Sequence, residues 1–260
     1  MFYLEYEITY KKQYGFIIIG FGDWKQLKPV NEEHIDFQYS WIVKYIFNYK
    51  SYELTKVWRF NENELLQDAH NASNGETIDY TTYTSTECDL SLCHTNDAVN
   101  ALNKRWNAHY AEEHTRKIIV AGYDNTKFIL HDGLKLMAYK THLTHKFTNS
   151  QEFVVSSWTD DTIILQNTKG QTVEIEMKYT VSFKPRYAMT VHKCQGSTFT
   201  QNYNIYEYED MKHDMLYVAF TRARNKAQVN FCNIHNYRQH TGYIYSYEFK
   251  GLFYIGSTKD

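Results

Sequence analysis

Proline, cysteine, long apolar runs and net charge are all scarce in this 260-residue chain. It has two prolines, four cysteines and a net charge of -2, with 43% hydrophobic and 22% charged residues. That balance excludes a collagen, a disordered tail and a basic histone-like protein. The longest aliphatic run, Phe16 to Ile19, is far short of the roughly 20 apolar residues that cross a bilayer. No apolar segment follows Met1, so neither a membrane span nor a signal peptide is expected. Cys88, Cys93, Cys194 and Cys232 form no C-x-x-C pair. Zinc is therefore not expected, and the cysteines read as free thiols of a protein in a reducing, intracellular compartment.

What is present is aromatic surface and enough length to bury a core without staples. The 24 tyrosines read mainly as the coding bias of an AT-rich genome, and they also supply stacking surfaces. Low net charge does not exclude nucleic acid, because charge can be local. From Lys178 to Lys226 eight Lys or Arg face four acids, so this window is basic while the chain is not.

The pattern along the chain is that of an α/β protein with a β insert. Gly15 to Asp23 is a short β-branched run ended by glycines, as for a strand buried on both faces. A helical or mixed stretch is expected over 36–52. The polar stretch from Asn71 to Ser85 reads as a linker and candidate domain boundary. Cys88 to Cys93 can form a strand, and Thr95 or Asn96 can cap a helix through Tyr110. In that helix Ala98, Leu102 and Trp106 would share one apolar face. Lys117 to Val120 and Lys127 to Leu130 read as short strands. Between Glu152 and Tyr179 the period becomes two: Val173, Ile175 and Met177 alternate with Glu174, Glu176 and Lys178. With Phe153 to Val155 and Ile163 to Leu165 this predicts an antiparallel meander. Alternation resumes at Ala227, Val229 and Phe231.

Three segments concentrate chemistry. Tyr187-Ala-Met-Thr-Val-His-Lys-Cys-Gln-Gly-Ser-Thr-Phe199 packs hydroxyl, amide and cationic groups around one glycine. Gly196 lets a backbone approach a ligand, and Thr190, His192 and Lys193 can bond phosphate oxygens. Alone it is equally a polar loop before a helix. In Leu216-Tyr-Val-Ala-Phe-Thr-Arg-Ala-Arg224, residues two apart on a helix point about 200° apart, so Arg222 and Arg224 cannot share a task. Arg222, at the edge of a core face set by Val218 and Ala219, calls for an anionic partner, either a structural carboxylate or a nucleotide γ-phosphate. Gly22-Asp-Trp-Lys-Gln-Leu-Lys-Pro-Val30 follows the first apolar run, where ligands of open α/β sheets sit. Gln26 in that loop could sense a phosphate or a water.

In this order the segments resemble superfamily 1 DNA helicases of the RecD/Dda-like branch, with a UvrD-like C-terminal domain. Gly22 to Val30 looks like motif III, Leu54-Thr-Lys-Val-Trp-Arg59 like motif IV, Thr190 to Thr198 like motif V and Leu216 to Arg224 like motif VI. Leu92 to Asn103 is similar to the opening strand and helix of the second RecA-like domain. Gly133 to Ala138 and Phe147 to Val155 resemble the entry to the family's small β-barrel insert. The resemblance covers about residues 10 to 232. It departs mildly at Lys28, Trp58 and Cys194.

The resemblance implies an α/β, RecA-like P-loop NTPase fold and a set of roles. Arg222 would be the arginine finger on the γ-phosphate of ATP, a device that changes phosphoryl-transfer rates by about 10³ to 10⁵, or roughly 4 to 7 kcal/mol of barrier. Arg59 would be a second γ-phosphate contact, and Gln26 would couple that phosphate to the DNA site. Gln195 and Gly196 would line the nucleotide side, and Thr190, His192 and Lys193 would hold single-stranded DNA. Arg222→Ala would then spare folding and DNA binding but abolish ATPase in a P-loop-containing protein. His192→Ala would weaken strand binding.

The chain has no G-x-x-x-x-G-K-[ST] and no Asp-Glu dipeptide, the phosphate cradle and the Mg²⁺-binding motif. The expected layout is a remnant of the first RecA-like domain over 1–70, the second RecA-like domain over 86–138 and 183–236, and the insert over 139–182. This predicts an amino-terminally truncated helicase that hydrolyses no ATP alone. Its Mg²⁺ ligands would lie in a P-loop-containing upstream half. At the other end Gly242-Tyr-Ile-Tyr245 and Tyr254-Ile-Gly256 look like the start, over 241–260, of a GIY-YIG endonuclease. A hairpin turning at Lys250-Gly251 would pair Tyr247 with Tyr254, with Tyr245 diagonal to it on one face. The family's later Arg and metal-binding Glu are absent, so no cleavage is expected. Two further readings stay open: an ATP-independent single-strand binder, and a subunit that supplies Arg222 in trans.

Overall fold

The computed structural model describes residues 19–28, 39–47, 50–54, 56, 59–84, 86–144, 147–232, 242–249 and 252–259. Gly15 to Phe16 and the rest of the first apolar run up to residue 18 lie outside them. The described part, Ile19 to Asp23, forms no strand, with Ile19 70% and Phe21 88% exposed. A strand buried on both faces needs neighbours on both edges, and no described strand lies beside this one.

Helix α1 (Trp41–Ile46) is short and capped by Ser40. Helix α2 (Asn63–Asn74) buries Leu65, Ala69 and Ala72 and ends at Gly75, whose φ of 74° gives the left-handed cap that glycine adopts without strain. The polar stretch read as a linker is thus partly the last turn of α2. Beyond it Ile78 and Tyr83 are buried in the core. The signal was the three-and-four spacing of small apolar residues, hidden among Asn and His.

Strand β1 (Ser91–Cys93) leads into helix α3 (Asn96–Ala111). The hydroxyl of Thr95 accepts from the Ala98 amide at 3.2 Å, so the expected cap is the one used. A hairpin of β2 (Ile118–Ala121) and β3 (Lys127–Leu130) follows. Then come β4 (Lys135–Ala138), β5 (Glu152–Trp158), β6 (Thr162–Asn167), β7 (Thr172–Glu176) and β8 (Phe183–Pro185). The chain returns through β9 (Ala188–Thr190), β10 (Tyr203–Ile205), helix α4 (His213–Phe220) and β11 (Val229–Phe231).

Two sheets result. One is parallel, in the order β11-β10-β1-β9, with Leu92 opposite Ile205 on one side and Met189 on the other. Every residue of β1, β10 and β11 is buried. The other is antiparallel, in the order β7-β6-β5-β4-β8. It takes in the expected meander, with Ile163 opposite Ile175 and Leu165 opposite Val173. It also reaches beyond 139–182 on both sides, to Lys135 and Pro185. Pairings among the described residues leave β7 and β8 as its edges, an open sheet rather than a closed barrel.

Two asparagines of α3 join the layers. Asn103 accepts from the amides of Tyr187 and Ala188 at 2.8 and 2.9 Å and donates to the Ala188 carbonyl at 3.0 Å. One turn on, Asn107 does the same to Ile129, at 2.7 and 2.8 Å. A buried amide costs little when each of its groups is paired with backbone. The last described element is a hairpin of β12 (Gly242–Phe249) and β13 (Leu252–Lys259), with Tyr247 opposite Tyr254 and Tyr245 opposite Gly256. That is the expected register around Lys250-Gly251.

Candidate functional site

Thr190 ends β9, and a tight turn follows from Val191 to Gly196. The Thr190 hydroxyl accepts from the Lys193 amide at 3.2 Å, and its carbonyl accepts from the amides of Lys193 and Cys194. Cys194 is buried inside the turn, and burial pushes its thiol up to about 12. It behaves there as a small apolar residue. Gly196, with φ of 87°, reverses the chain without strain. The arrangement leaves His192 and Gln195 exposed and Lys193 half-buried.

Helix α4 ends at Phe220, so Arg222 lies just past it rather than on it. It is 1% exposed. Its Nε donates to the Val218 carbonyl at 2.9 Å, Nη1 to the Ser197 carbonyl at 2.8 Å and Nη2 to the Thr221 hydroxyl at 2.8 Å. The expected anionic partner is absent from this set. The orphan carbonyls at a helix end and in the 191–197 turn hold the cation instead. Burial pulls the Arg222 guanidinium below the usual arginine range, and the cation of Arg59 nearby adds to this. Arg222 therefore ties the 190–198 turn to the end of α4. Against the expectation that Arg222→Ala spares folding, its removal would take the donor from the Ser197 carbonyl and leave the Val218 carbonyl only the Thr221 hydroxyl.

Arg59 is half-buried and donates from Nη1 to the Thr221 carbonyl at 2.6 Å. The two arginines thus meet on one residue, Arg59 at its carbonyl and Arg222 at its hydroxyl. Among the described residues no ion pair joins either to a carboxylate. Arg59 also lines a shallow cleft of about 320 Å³ with Asn61, Thr198 and the exposed Arg224.

The Gly22 to Lys28 loop docks on both segments. Gln195 Nε2 donates to Gln26 Oε1 at 3.3 Å, and the Tyr217 hydroxyl donates to Asp23 Oδ2 at 2.9 Å. Asp23 shapes the loop by accepting from the Lys25 amide at 3.0 Å and from Gln26 Nε2 at 3.2 Å. Burial, followed by the Asp23 carboxylate, pushes the Tyr217 phenol up to about 12. Asp23 and Tyr217 escaped sequence reasoning, and only their contact marks them. Gln26, Arg59, Gln195 and Arg222 come from distant parts of the chain and are gathered here. Thr190, His192 and Lys193 lie along the same turn. Tyr245, Tyr254 and Gly256 are in the separate hairpin and are not among them.

The arginines and the two glutamines suit the phosphate end of a nucleotide. Among the described residues there is no group of three or more His, Cys, Asp or Glu that could hold a metal ion. No helix among the described residues is long and apolar enough to cross a membrane.

Residues 185–229, which include both the turn and α4, match the UvrD-like helicase C-terminal domain. No curated protein matches the chain. Solved structures do. The Pif1 helicase from Candida albicans superposes with a TM-score of 0.63 at 16% identity, over 81% of this chain and 62% of that one. Pif1 helicase from Bacteroides, in complex with ADP-AlF3 and ssDNA, gives 0.59 at 19% identity, over 81% and 60%. Bacteroides Pif1 bound to ssDNA gives 0.55 at 18% identity, over 69% and 51%. This chain spans about half to three fifths of the length of those proteins. Its α/β part has the fold of the RecA-like domain of Pif1 helicases, and residues 185–229 within it are similar to the UvrD-like helicase C-terminal domain.

Proposed function

We propose that this chain is the C-terminal part of an ATP-dependent superfamily 1 DNA helicase, supplying an arginine finger and a grip on single-stranded DNA. The observation that carries the reading is the meeting of Arg59 and Arg222 at Thr221. Two guanidinium groups share one residue with no carboxylate between them, beside a glutamine pair that links two loops. A polyphosphate is the ligand that such an arrangement lacks.

In this reading ATP supplies the free energy when bound, with its P-loop and Mg²⁺ ligands contributed by an upstream half. Arg59 and Arg222 hold the terminal phosphate. The Gln26–Gln195 contact carries the state of that site to the turn bearing Thr190, His192 and Lys193, which grips the strand backbone. Strands β12 and β13 pair in the register expected from the turn position alone, and from the sequence motif we extend the proposal to a GIY-YIG origin for them.

One observation favours a second reading, an ATP-independent strand binder: every donor of Arg222 named above is already taken by protein. Strand binding measured with and without ATP, in this chain joined to a P-loop half, separates the two. ATP-dependent affinity and DNA-stimulated hydrolysis, both lost in Arg59→Ala, are expected for the helicase. Tight, salt-sensitive binding that ignores ATP would leave only the binder.

A further inference from the structure

Where the two sheets meet, three lysines surround two stacked tyrosines. Tyr123 and Tyr139 stack with ring centroids 5.0 Å apart and an interplanar angle of 24°. The ammonium of Lys193 sits 4.7 Å from the Tyr139 ring, that of Lys184 5.5 and 5.6 Å from the two rings, and that of Lys140 5.7 Å from Tyr123. Five residues from four chain segments converge: the β2–β3 loop, the two residues just after β4, strand β8 and the turn after β9.

Two of the lysines are held by neutral partners. Lys193 donates to Asn149 Oδ1 at 2.6 Å and Lys184 to Asn100 Oδ1 at 3.2 Å. Among the described residues no ion pair neutralises any of the three. The nearest carboxylate influence is that of Asp124 on Lys184. Lys184 is only 7% exposed. Burial lowers the affinity of Lys184 and of Lys193 for their protons. Aromatic faces partly offset the cost of such desolvated cations. An anion is the kind of ligand that would offset the rest. The rings are flanked by ammonium groups, so the ridge suits phosphates better than stacked bases.

We propose that Lys140, Lys184 and Lys193, positioned by the Tyr123–Tyr139 stack, form a ridge that carries the phosphate backbone of a single strand from the Thr190–Gly196 turn onto the root of the antiparallel insert. This rests on the strand-binding part of the proposed function and extends it to residues outside the helicase motifs. Lys193 belongs to both.

Fluorescence anisotropy of the full chain with a labelled oligothymidylate, over a salt series, tests it. Each phosphate contact steepens log K against log salt by about 0.7 for a single strand, so Lys140→Gln and Lys184→Gln should each flatten the slope by about that amount and weaken binding about threefold or more. Tyr139→Phe keeps the ring and should match the parent. Tyr139→Leu removes the ring and should behave like the loss of a lysine. If buried Lys184→Gln does not fold, exposed Lys140→Gln decides. An unchanged slope in folded Lys140→Gln overturns the ridge. If His192→Ala still weakens binding then, the proposed function stands without it. A parent chain that does not bind the oligonucleotide overturns both.

Discussion

In the parallel sheet β1, β10 and β11 are buried at every position, whereas β5 and β6 of the antiparallel sheet alternate buried and exposed residues. The cause is what covers each sheet. Helices and core side chains flank the parallel strands on both faces, and water bathes one face of the insert. A period of two therefore marks the insert in the sequence, and no period marks the parallel strands. The buried strands are also the ones that place Thr190 and the turn after it. The region nearest the proposed chemistry is thus the harder one to read from sequence.

Substitution scanning sharpens this contrast. Leu92→Ala in β1 and Ile163→Ala in β6 both empty fully buried positions and should each cost about 2 to 5 kcal/mol in urea unfolding. The neighbours should differ. Cys93 is as buried as Leu92, so larger replacements there should destabilise. Ile164→Thr, partly exposed between two buried neighbours, should stay within about 0.5 kcal/mol of the parent. An even cost along β6 would break the comparison.

Next in size is Arg222→Ala, which takes the donor from the Ser197 carbonyl and leaves the Val218 carbonyl only the Thr221 hydroxyl. A loss of about 3 kcal/mol is expected in the same assay. Unchanged stability would show that water replaces the guanidinium and that the residue is free to swing toward a ligand.

Thr95→Ala should cost about 1 to 2 kcal/mol. It removes the cap of α3 and also the hydroxyl that donates to the buried Glu207 carboxylate at 2.8 Å. Thr95→Ser should restore most of it.

The smallest effect is a pH dependence. His131, 2% exposed and stacked on His114 between α3 and the insert, is held below the usual histidine range, first by burial. The unfolded chain then binds the proton more readily than the folded one. Stability is full above the ordinary histidine pKa of about 6.5 and falls as pH drops below it. His131→Gln should flatten the stability profile on the acid side of neutrality, and an identical profile would remove His131 as its source.

Several elements were legible because local chemistry alone specifies them. Thr95 before Ala98, Leu102 and Trp106 announces a capped helix whatever surrounds it. Val173 and Ile175 between glutamates announce a half-buried strand. The motif spacing set Tyr247 opposite Tyr254, and the two eight-residue strands pair that way. The end of α2 was not legible, because Asn71 and Asn74 favour turns and only packing of Ala69 and Ala72 holds them helical. The motifs pointed to Gln26, Gln195 and Arg222 one by one, but not to their arrangement. Asp23 reaches Tyr217, and Gln26 reaches Gln195, across well over a hundred residues.

The sequence by itself determined the class of the fold, the capped helix, the meander, the hairpin register and the segments that carry polar chemistry. Each follows from spacing and from side chains bonding their own neighbours. Only the tertiary structure decided which arginine is buried, what holds it and where the lysines gather. Arg222 and Arg224 are the same residue type two positions apart. One finds the carbonyls of a distant turn, and the other finds solvent.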